Sequence, residues 1–320
     1  MKVYFTAVIV SLILFLAPVS YAGSFTGDET GTTSAAFLKI GPGARAAAMG
    51  EAYTAAADDA YAVYWNPAAM KNVKEKQLAF MHAFWLESIN YDYVSFVTPV
   101  NVLDGAFGGS FTYLWMDSID RVTNSGDVTG SFSPYDMAFA LSFAGLVYGV
   151  KTGASAKYIK ESLGSKSAQA FALDTGVTGS LLEDKLSGGI YAGNIGTKLK
   201  FDRAECPLPF IIRAGLAYSA RKDLGLSFDI HMPADSAMSY HLGGEYTYEY
   251  FEEILFIARA GYNIGPDSSG KSGISAGFGV NLNKYNIDYA YVPYRGLGGT
   301  HRLSLSMKFI KPRENYLLIP

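Results

Sequence analysis

The sequence predicts an all-β protein, a fourteen-stranded antiparallel transmembrane β-barrel with a short N-terminal helical plug. Three observations predict this fold: apolar and polar residues alternate over most of the chain, the alternating segments number fourteen, and their connections are alternately short and long. A period of two places successive side chains on opposite faces of a strand. An even strand number with short turns on one side is typical of bacterial outer-membrane barrels. A soluble β-propeller or sandwich is the alternative fold.

Residues 1–22 are expected to be a cleaved secretory signal. Lys2 precedes the apolar stretch 3–17, and the small-residue site Ser20-Tyr21-Ala22 precedes Gly23. The residue directly after this site is Gly23 and not cysteine, so a lipoprotein anchor is not indicated. The mature chain is therefore expected to begin at Gly23 and to be exported.

The composition favours a membrane protein over an ordinary soluble domain. Only 17% of the residues are charged, compared with roughly 25% in soluble domains. The net charge is −3 and no stretch is rich in Lys and Arg, so nucleic acid is not an expected partner. The single cysteine, Cys206, cannot form an internal disulfide and is interpreted as an incidental loop residue. After the signal, no stretch approaches the ~18 to 20 consecutive apolar residues of a spanning helix.

Residues 23–75 differ from the rest of the chain. They are rich in Ala, Gly and Thr, which predicts short helices broken by Gly and Pro. A fourteen-stranded barrel should leave a substantial lumen, and this segment is long enough to fill it. We therefore predict a plug at 23–75, the barrel at 76–310 and a C-terminal tail at 311–320. The alternative is a helical segment docked outside the barrel.

The alternation defines the barrel strands. Each strand with its connection takes about 17 residues, which exceeds the ~8 to 12 residue spacing of soluble sandwiches. Six connections are predicted to be tight and periplasmic, while the others are mostly longer, notably 118–134, 199–207 and 264–271. The protein is therefore placed in the outer membrane of a Gram-negative-type bacterium. The predicted strands are 77–86, 89–100, 105–117, 135–146, 148–161, 167–181, 185–198, 208–219, 223–231, 238–249, 253–263, 272–282, 284–292 and 300–310.

The segment 40–69 contains three motifs, which are the run GPGARAAAMG from Gly41 to Gly50, the pair Asp58-Asp59, and Trp65-Asn66-Pro67-Ala68. Together they resemble the PorV/PorQ group within the FadL-like family of outer-membrane barrels. The likeness continues through 200–202, 207–209, 288–293 and 300–306. The resemblance implies a fourteen-stranded barrel with the N-terminal plug inside it. It also implies that Asn66 and Pro67 form the join between the plug and the first strand, where the proline would stop the last plug helix.

No catalytic, cofactor or metal site is predicted, and the protein is not expected to be an enzyme. Gly41 to Ala46 partly matches a dinucleotide-binding fingerprint but lacks its βαβ context, so we interpret it as a plug turn. Asp58 and Asp59 lack the further oxygen ligands of a calcium site and are expected to cap a helix or face solvent. Four histidines are present, but their spacing is not that of a zinc site. They are His82, His231, His241 and His301, with Asp235 and Ser236 between the middle two.

Charged residues lie on the polar face of neighbouring strands. If this face is the lumen, opposite charges should pair across the strands, because an unpaired buried charge is costly. We predict that Arg45 docks onto Asp229, Glu245 or Asp288. The predicted lumen charge network is Arg213, Asp229, Glu245, Arg259, Asp288, Arg302 and Lys308. The predicted plug and gating residues are Gly41, Gly43, Arg45, Asp58, Asp59, Trp65, Asn66 and Pro67.

Three functions are compatible with these patterns. Uptake of small hydrophobic molecules is favoured, because the extracellular loops are short and the apolar segment 46–49 could line a pocket with Tyr53, Tyr61, Tyr64 and Trp65. The resemblance also implies a role in type IX secretion, in which the barrel binds the sorting domain of exported proteins. A structural barrel without transport is the third. Outer-membrane lipid is an expected partner in all three cases. Uptake would add a small hydrophobic ligand, and secretion would add secretion-system proteins.

Overall fold

The computed structural model describes residues 30–182, 185–202, 204–251, 254–265 and 273–309. The predicted signal at 1–22, the first plug residues at 23–29 and the predicted tail at 311–320 lie outside this part of the chain. Fourteen antiparallel strands close into a barrel in which each strand pairs with its neighbours along the chain. The last strand pairs with the first, and Lys76 lies opposite Phe309. The predicted fold class is therefore confirmed.

The described strands include the fourteen of the barrel and two short hairpins in its connections. The hairpins are formed by β4 with β5 and by β10 with β11. In chain order the strands are β1 (Lys76–Phe84), β2 (Asn90–Val100), β3 (Gly105–Trp115), β4 (Ile119–Val122), β5 (Val128–Phe132), β6 (Tyr135–Val147), β7 (Val150–Leu163), β8 (Lys166–Leu181), β9 (Leu186–Gly196), β10 (Leu199–Phe201), β11 (Ala204–Cys206), β12 (Ile211–Arg221), β13 (Leu224–Pro233), β14 (Ser239–Phe251), β15 (Ile254–Ile264), β16 (Ile274–Leu282), β17 (Tyr285–Tyr294) and β18 (Gly298–Phe309).

The connections follow the predicted alternation, with two differences. Segments 118–134 and 199–207, predicted as loops, contain the hairpins β4–β5 and β10–β11. The link between β7 and β8 lies on the side of the longer connections, yet it is only the two-residue turn 164–165, because both strands run unusually far. Gly164 has a φ of 64°, a left-handed conformation that suits such a turn. The short-turn side is taken as periplasmic.

The alternation places apolar side chains on the outside of the barrel. On β14, Tyr240 and Leu242 are 39% and 45% exposed, whereas the intervening His241 is 2% exposed and faces the lumen. The same pattern holds on β18, where Leu303 and Leu305 are exposed and Arg302 is buried. Outward apolar side chains suit a barrel wall covered by lipid hydrocarbon.

Arginine on the outer face of β14 is expected to impair assembly. Leu242→Arg places a charge on the lipid face, which costs about 2–4 kcal/mol near the bilayer midplane. Thr247→Arg is the matched control, since Thr247 lies on the same strand but lines a polar cavity at the mouth of the lumen. Folding into vesicles can be followed by the mobility of unheated samples on gels. Equal yields from both variants would mean that the strand register is wrong.

The segment 30–75 lies inside the barrel. Its α-helices are Ala44–Ala48 and Ala62–Trp65, and its 3-10 helices are Ala36–Lys39 and Pro67–Asn72. Helix Ala44–Ala48 contacts β15, β16, β17 and β18, while Pro67–Asn72 contacts β3, β6, β7 and β8, on another part of the wall. A segment that contacts such separate parts of the wall is enclosed by it, so docking outside the barrel is excluded for these residues. Within the described residues, no helix is long and apolar enough to cross a membrane.

Candidate functional site: the plug–barrel interface

A chain of alternating charges connects the plug to the barrel wall. Arg45, on helix Ala44–Ala48, donates from Nε to Oε2 of Glu245 at 2.8 Å and from Nη2 to Oε1 at 2.9 Å. Its Nη1 donates to Oδ1 of Asp58 at 2.5 Å. Of the three carboxylates predicted to receive Arg45, the structure brings it to Glu245. The contact is bidentate, the geometry in which arginine binds carboxylate most strongly.

The charge chain continues along the wall. Glu245 on β14 faces Arg259 on β15 across the strand pair, and Arg259 Nε donates to Glu245 Oε2 at 2.5 Å. Arg259 Nη1 then donates to Oδ1 of Asp288 on β17 at 2.6 Å. The side chains of Arg259 and Asp288 are 1% and 4% exposed. Because both are buried, removing either partner would leave a charge without compensation.

Burial and neighbouring charges shift the pKa values of the plug residues Arg45 and Asp59 in opposite directions. Burial favours a lower pKa for Arg45, but Asp58 and Glu245 outweigh it and raise the pKa well above the usual range. Burial raises the pKa of Asp59 to about 6, although the guanidinium of Arg45 lowers it. Asp59 accepts hydrogen bonds from the Tyr53 hydroxyl at 2.8 Å and from the Tyr61 backbone N–H at 3.0 Å. Asp59 therefore accepts at the start of helix Ala62–Trp65 and Asp58 is 55% exposed, in keeping with the expected cap and solvent-facing residue, and both also bind Arg45 within the plug.

Asp229 binds the plug through the plug backbone. Its Oδ2 accepts from the backbone N–H groups of Tyr53 at 3.0 Å and Thr54 at 2.8 Å. Asp229 is fully buried on β13. A carboxylate that accepts from two backbone N–H groups fixes the path of the chain at that point. Arg45 and Asp229 thus anchor the plug at different places.

The two remaining predicted arginines also contact the plug. Arg302 on β18 donates from Nη1 to the carbonyl oxygen of Gly41 at 2.6 Å. Among the described residues, Arg213 on β12 stacks on aromatic rings and is not at ion-pair distance from a carboxylate. Its guanidinium lies 4.9 Å from the ring centroid of Tyr64 and 4.3 Å from that of Tyr191. The predicted charge network is therefore partly a set of cation–π contacts.

The turn that contains Gly41 and Gly43 packs beneath aromatic rings. Gly43 has a φ of 95°, which a residue with a Cβ rarely adopts. A Cβ at Gly41 would overlap the ring of Trp65. Trp65 donates from Nε1 to the carbonyl oxygen of Pro42 at 2.9 Å, and its ring is edge-on to Tyr53 and Tyr64. This segment is a packed plug turn with no βαβ context.

Asn66 lies against the wall, and the join to β1 falls further along the chain. Its Nδ2 donates to the carbonyl oxygens of Val177 and Ile190 at 3.3 Å, and its Oδ1 accepts from Ala68 N–H at 3.1 Å. Helix Ala62–Trp65 ends just before it, but the 3-10 helix Pro67–Asn72 follows at once. Asn66 and Pro67 therefore end the last α-helix of the plug, as expected, but they do not form the join to β1, because the proline stands at the first position of a 3-10 helix that precedes the strand.

Glycines mark where the plug backbone touches the wall. A Cβ at Gly153 would overlap backbone atoms of Pro67 and Ala68, and one at Gly261 would overlap the backbone of Gly50. Backbone atoms cannot move aside as a flexible side chain can. The inward-facing glycines in contact with the plug include Gly108, Gly153, Gly176, Gly189, Gly215, Gly243, Gly261 and Gly277.

Alanine at Gly153 or Gly261 is expected to destabilise the folded protein by about 1–3 kcal/mol, the usual cost of overpacking. Gly225→Ala is the matched control, because Gly225 also lines the lumen but a Cβ there would meet nothing within 4 Å. The control should be neutral or slightly stabilising. The free energy of unfolding in urea checks this. If Gly153→Ala and Gly225→Ala were equally stable, the plug would not rest against the wall at Gly153.

A polar cavity of about 420 Å³ lies at the periplasmic mouth of the lumen. Its walls are the strand ends next to the tight turns, and the floor is the plug around Arg45 and Asp58. Charged side chains of both signs line it, among them Lys74, Lys151, Arg221, Lys222, Asp223 and Glu245.

The predicted apolar pocket is occupied by the plug's own side chains. The rings of Tyr64 and Trp65 pack at 5.2 Å, and Tyr61 stacks on Tyr93 of β2 at 5.8 Å. The cavity beside Tyr64, Tyr91 and Tyr93 has a volume of about 20 Å³. That volume is close to that of a single water molecule.

Sequence reasoning missed three groups that the fold brings together. Lys157 on β7 pairs with Asp174 on β8 at 2.7 Å, and Lys39 of the plug pairs with Asp235 at 2.7 Å. Glu51 lies with His231 and His241 at the plug–wall interface. Each group joins residues from separate elements, so spacing gave no signal. Cys206 is in β11, and its carbonyl oxygen accepts from the Ser34 hydroxyl at 3.2 Å.

A closed antiparallel barrel with an internal plug bound by ion pairs defines a class, the plugged outer-membrane barrels. A family model described as "Type IX secretion system protein PorV" matches residues 25–223, more than half of the chain. The chain belongs to the PorV family.

Solved structures share the fold. The toluene transporter TodX of Pseudomonas putida aligns with a TM-score of 0.56 at 14% identity, over 83% of this chain and 96% of that one. The toluene transporter TbuX of Ralstonia pickettii gives 0.55 at 14% identity, over 84% and 99%. A FadL homologue of Pseudomonas aeruginosa gives 0.51 at 13% identity, over 83% and 97%. No curated protein sequence matches.

Proposed function

We propose that the protein serves type IX secretion as a closed outer-membrane barrel that docks exported proteins and does not conduct them through its lumen. The observation that carries the proposal is the filled lumen. The plug is fixed to the wall by the charge chain from Asp58 to Asp288, by Asp229 on the backbone of Tyr53 and Thr54, and by close backbone contact at the glycines. Membership of the PorV family supports the same role.

The extracellular side offers more structured surface than the sequence suggested. The hairpin β4–β5 occupies the connection between β3 and β6, with Val122 and Val128 57% and 63% exposed. Exposed apolar side chains on an ordered hairpin offer a contact for a protein partner. This surface removes the main reason for preferring uptake over secretion, which was the expected shortage of loop area.

The test is secretion in a bacterium whose own family member has been deleted. A reporter that carries a type IX sorting domain should reach the medium when the full chain is supplied, and it should accumulate in the periplasm without it. Deletion of 119–132 should reduce secretion while the barrel still assembles. A reporter secreted equally with and without the chain would contradict the proposal.

Uptake of small hydrophobic molecules is the second candidate. The fold shared with toluene transporters favours it, but the cavity at Tyr64, Tyr91 and Tyr93 has a volume of about 20 Å³ and would have to widen to hold such a molecule. Cells that carry the chain would then take up labelled toluene faster than cells that lack it. An unchanged uptake rate together with restored secretion would contradict the uptake function and support the docking function.

A further inference from the structure

Two histidines of the wall and one glutamate of the plug meet in the extracellular half of the barrel. His231 is near the end of β13, His241 is near the start of β14, and Glu51 follows the plug helix Ala44–Ala48. One ligand atom from each residue can be chosen so that all three lie within 4.8 Å of one another. The residues are 7%, 2% and 8% exposed, in that order. The two imidazole rings are stacked, with their centroids 3.8 Å apart.

The protonation of His241 suits a metal ligand. Its Nδ1 lies 2.6 Å from the backbone carbonyl oxygen of Gly50. A carbonyl oxygen can only accept, so in the neutral ring this short contact places the proton on Nδ1 and the lone pair on Nε2, and the side-chain amide of Asn263 also lies 3.1 Å from Nδ1. Metal-binding histidines commonly donate their other N–H to a backbone carbonyl in this way, which fixes the tautomer and the ring orientation. Nε2 contacts the hydroxyl of Ser239 at 2.8 Å, a neutral contact that a metal ion would replace.

Charged groups of both signs surround the three residues. Oδ2 of Asp229 lies 3.6 Å from Nε2 of His231, so a second carboxylate stands beside the three residues. Nη2 of Arg302 is 3.9 Å from Oε1 of Glu51, and Arg213 packs on the ring of Trp65, which lies 6.4 Å from the ring of His231. The carboxylates and guanidiniums are therefore balanced, and the attraction for a cation comes from the ligand atoms of Glu51 and the two imidazoles.

We propose that Glu51, His231 and His241 form a binding site for a divalent transition metal of the zinc class that latches the plug to the barrel. Two imidazole nitrogens and one carboxylate oxygen are a known zinc ligand set, with metal–ligand distances of about 2.0–2.2 Å. To bind one ion, the two imidazole rings turn out of their stacked arrangement so that an in-plane lone pair of each points at the ion, and Ser239 gives up its bond to His241. One ligand, Glu51, comes from the plug, and the other two, His231 and His241, come from the wall. The ion therefore joins the plug to strands that lie 180 or more residues further along the sequence.

Zinc binding to the purified full-length barrel tests the site. The protein is refolded in detergent with a chelator, the chelator is removed, and Zn²⁺ is titrated in competition with a chromophoric zinc indicator. One saturable equivalent per chain is expected, with a higher unfolding temperature in the presence of Zn²⁺. His241→Gln and Glu51→Gln should each weaken binding at least about tenfold, since each removes a ligand. His82→Gln and His301→Gln are the matched controls and should bind as the unaltered chain does.

Ser239→Ala separates a metal site from a simple hydrogen-bonded histidine pair. The variant removes the hydroxyl that competes for Nε2 of His241, so zinc should bind as tightly or more tightly. A purely structural pair would gain nothing from this change. The absence of saturable Zn²⁺ binding in the unaltered chain would overturn the proposal, and so would equal loss of binding in His241→Gln and His82→Gln. Gel mobility of unheated samples checks that each variant is folded.

Discussion

Deletion of residues 24–60 is expected to convert the closed barrel into a pore that passes small polar solutes. The deletion removes Arg45, the Gly41–Gly43 turn and helix Ala44–Ala48, which fill the side of the lumen bounded by β13 to β18. A barrel of this strand number encloses more space than its wall side chains can fill. Planar bilayer recordings should show discrete open-channel currents for the deletion and a closed baseline for the full chain.

Two further variants calibrate this experiment. Deletion of 119–132 removes the extracellular hairpin and leaves the plug, so the baseline should stay closed. Arg45→Ala should leak more weakly than the deletion, because the buried alanines of the helix still pack against the wall. A full chain that already conducts as the deletion does would mean that the segment does not occlude the pore. A deletion that fails to fold would mean that the segment is part of the folding core.

Removing Arg259 is expected to be among the most destabilising single changes in the barrel. Arg259→Gln leaves Asp288 buried without its cation and takes one of two cations from Glu245. Breaking a buried pair on one side typically costs about 3–5 kcal/mol. Lys166→Gln is the matched control, since the pair of Lys166 with Asp202 is largely exposed and worth about 0–1 kcal/mol. Urea unfolding in vesicles measures both.

The double variant Arg259→Gln, Asp288→Asn checks whether the uncompensated charge of Asp288 causes the destabilisation. Neutralising Asp288 removes the uncompensated charge, so the double variant should be more stable than Arg259→Gln alone. If the two changes were simply additive, Arg259 and Asp288 would not interact energetically and the charge chain would end at Arg259.

The barrel could be predicted from sequence because its wall repeats one local rule. Leu303 and Leu305 alternate with Arg302 and Ser304, and the same rule applied elsewhere gave fourteen strands and their outward faces. The prediction was less accurate for connections that contain strands of their own. The β4–β5 hairpin shows this, since its polar sequence resembles a loop and its pairing is with itself.

The plug–wall contacts were less predictable, because they join residues far apart in sequence. The charge pattern alone offered three partners for Arg45, and only the path of the plug selects Glu245, 200 residues away. Asp229 binds backbone N–H groups, which carry no residue-specific signal. Asn66 was placed at a helix end by its proline, yet its contacts with β8 and β9 depend on the nearby glycines Gly176 and Gly189.

Site-specific photo-crosslinking during secretion tests most directly whether exported proteins dock on the barrel and do not pass through it. A photoreactive residue is placed at Val128 of the extracellular hairpin or at Ala217, which lines the mouth of the lumen. The docking account predicts crosslinks to a sorting-domain reporter from position 128 and none from position 217. Crosslinks from position 217 that appear while the reporter is in transit would place the exported protein in the lumen and contradict the account.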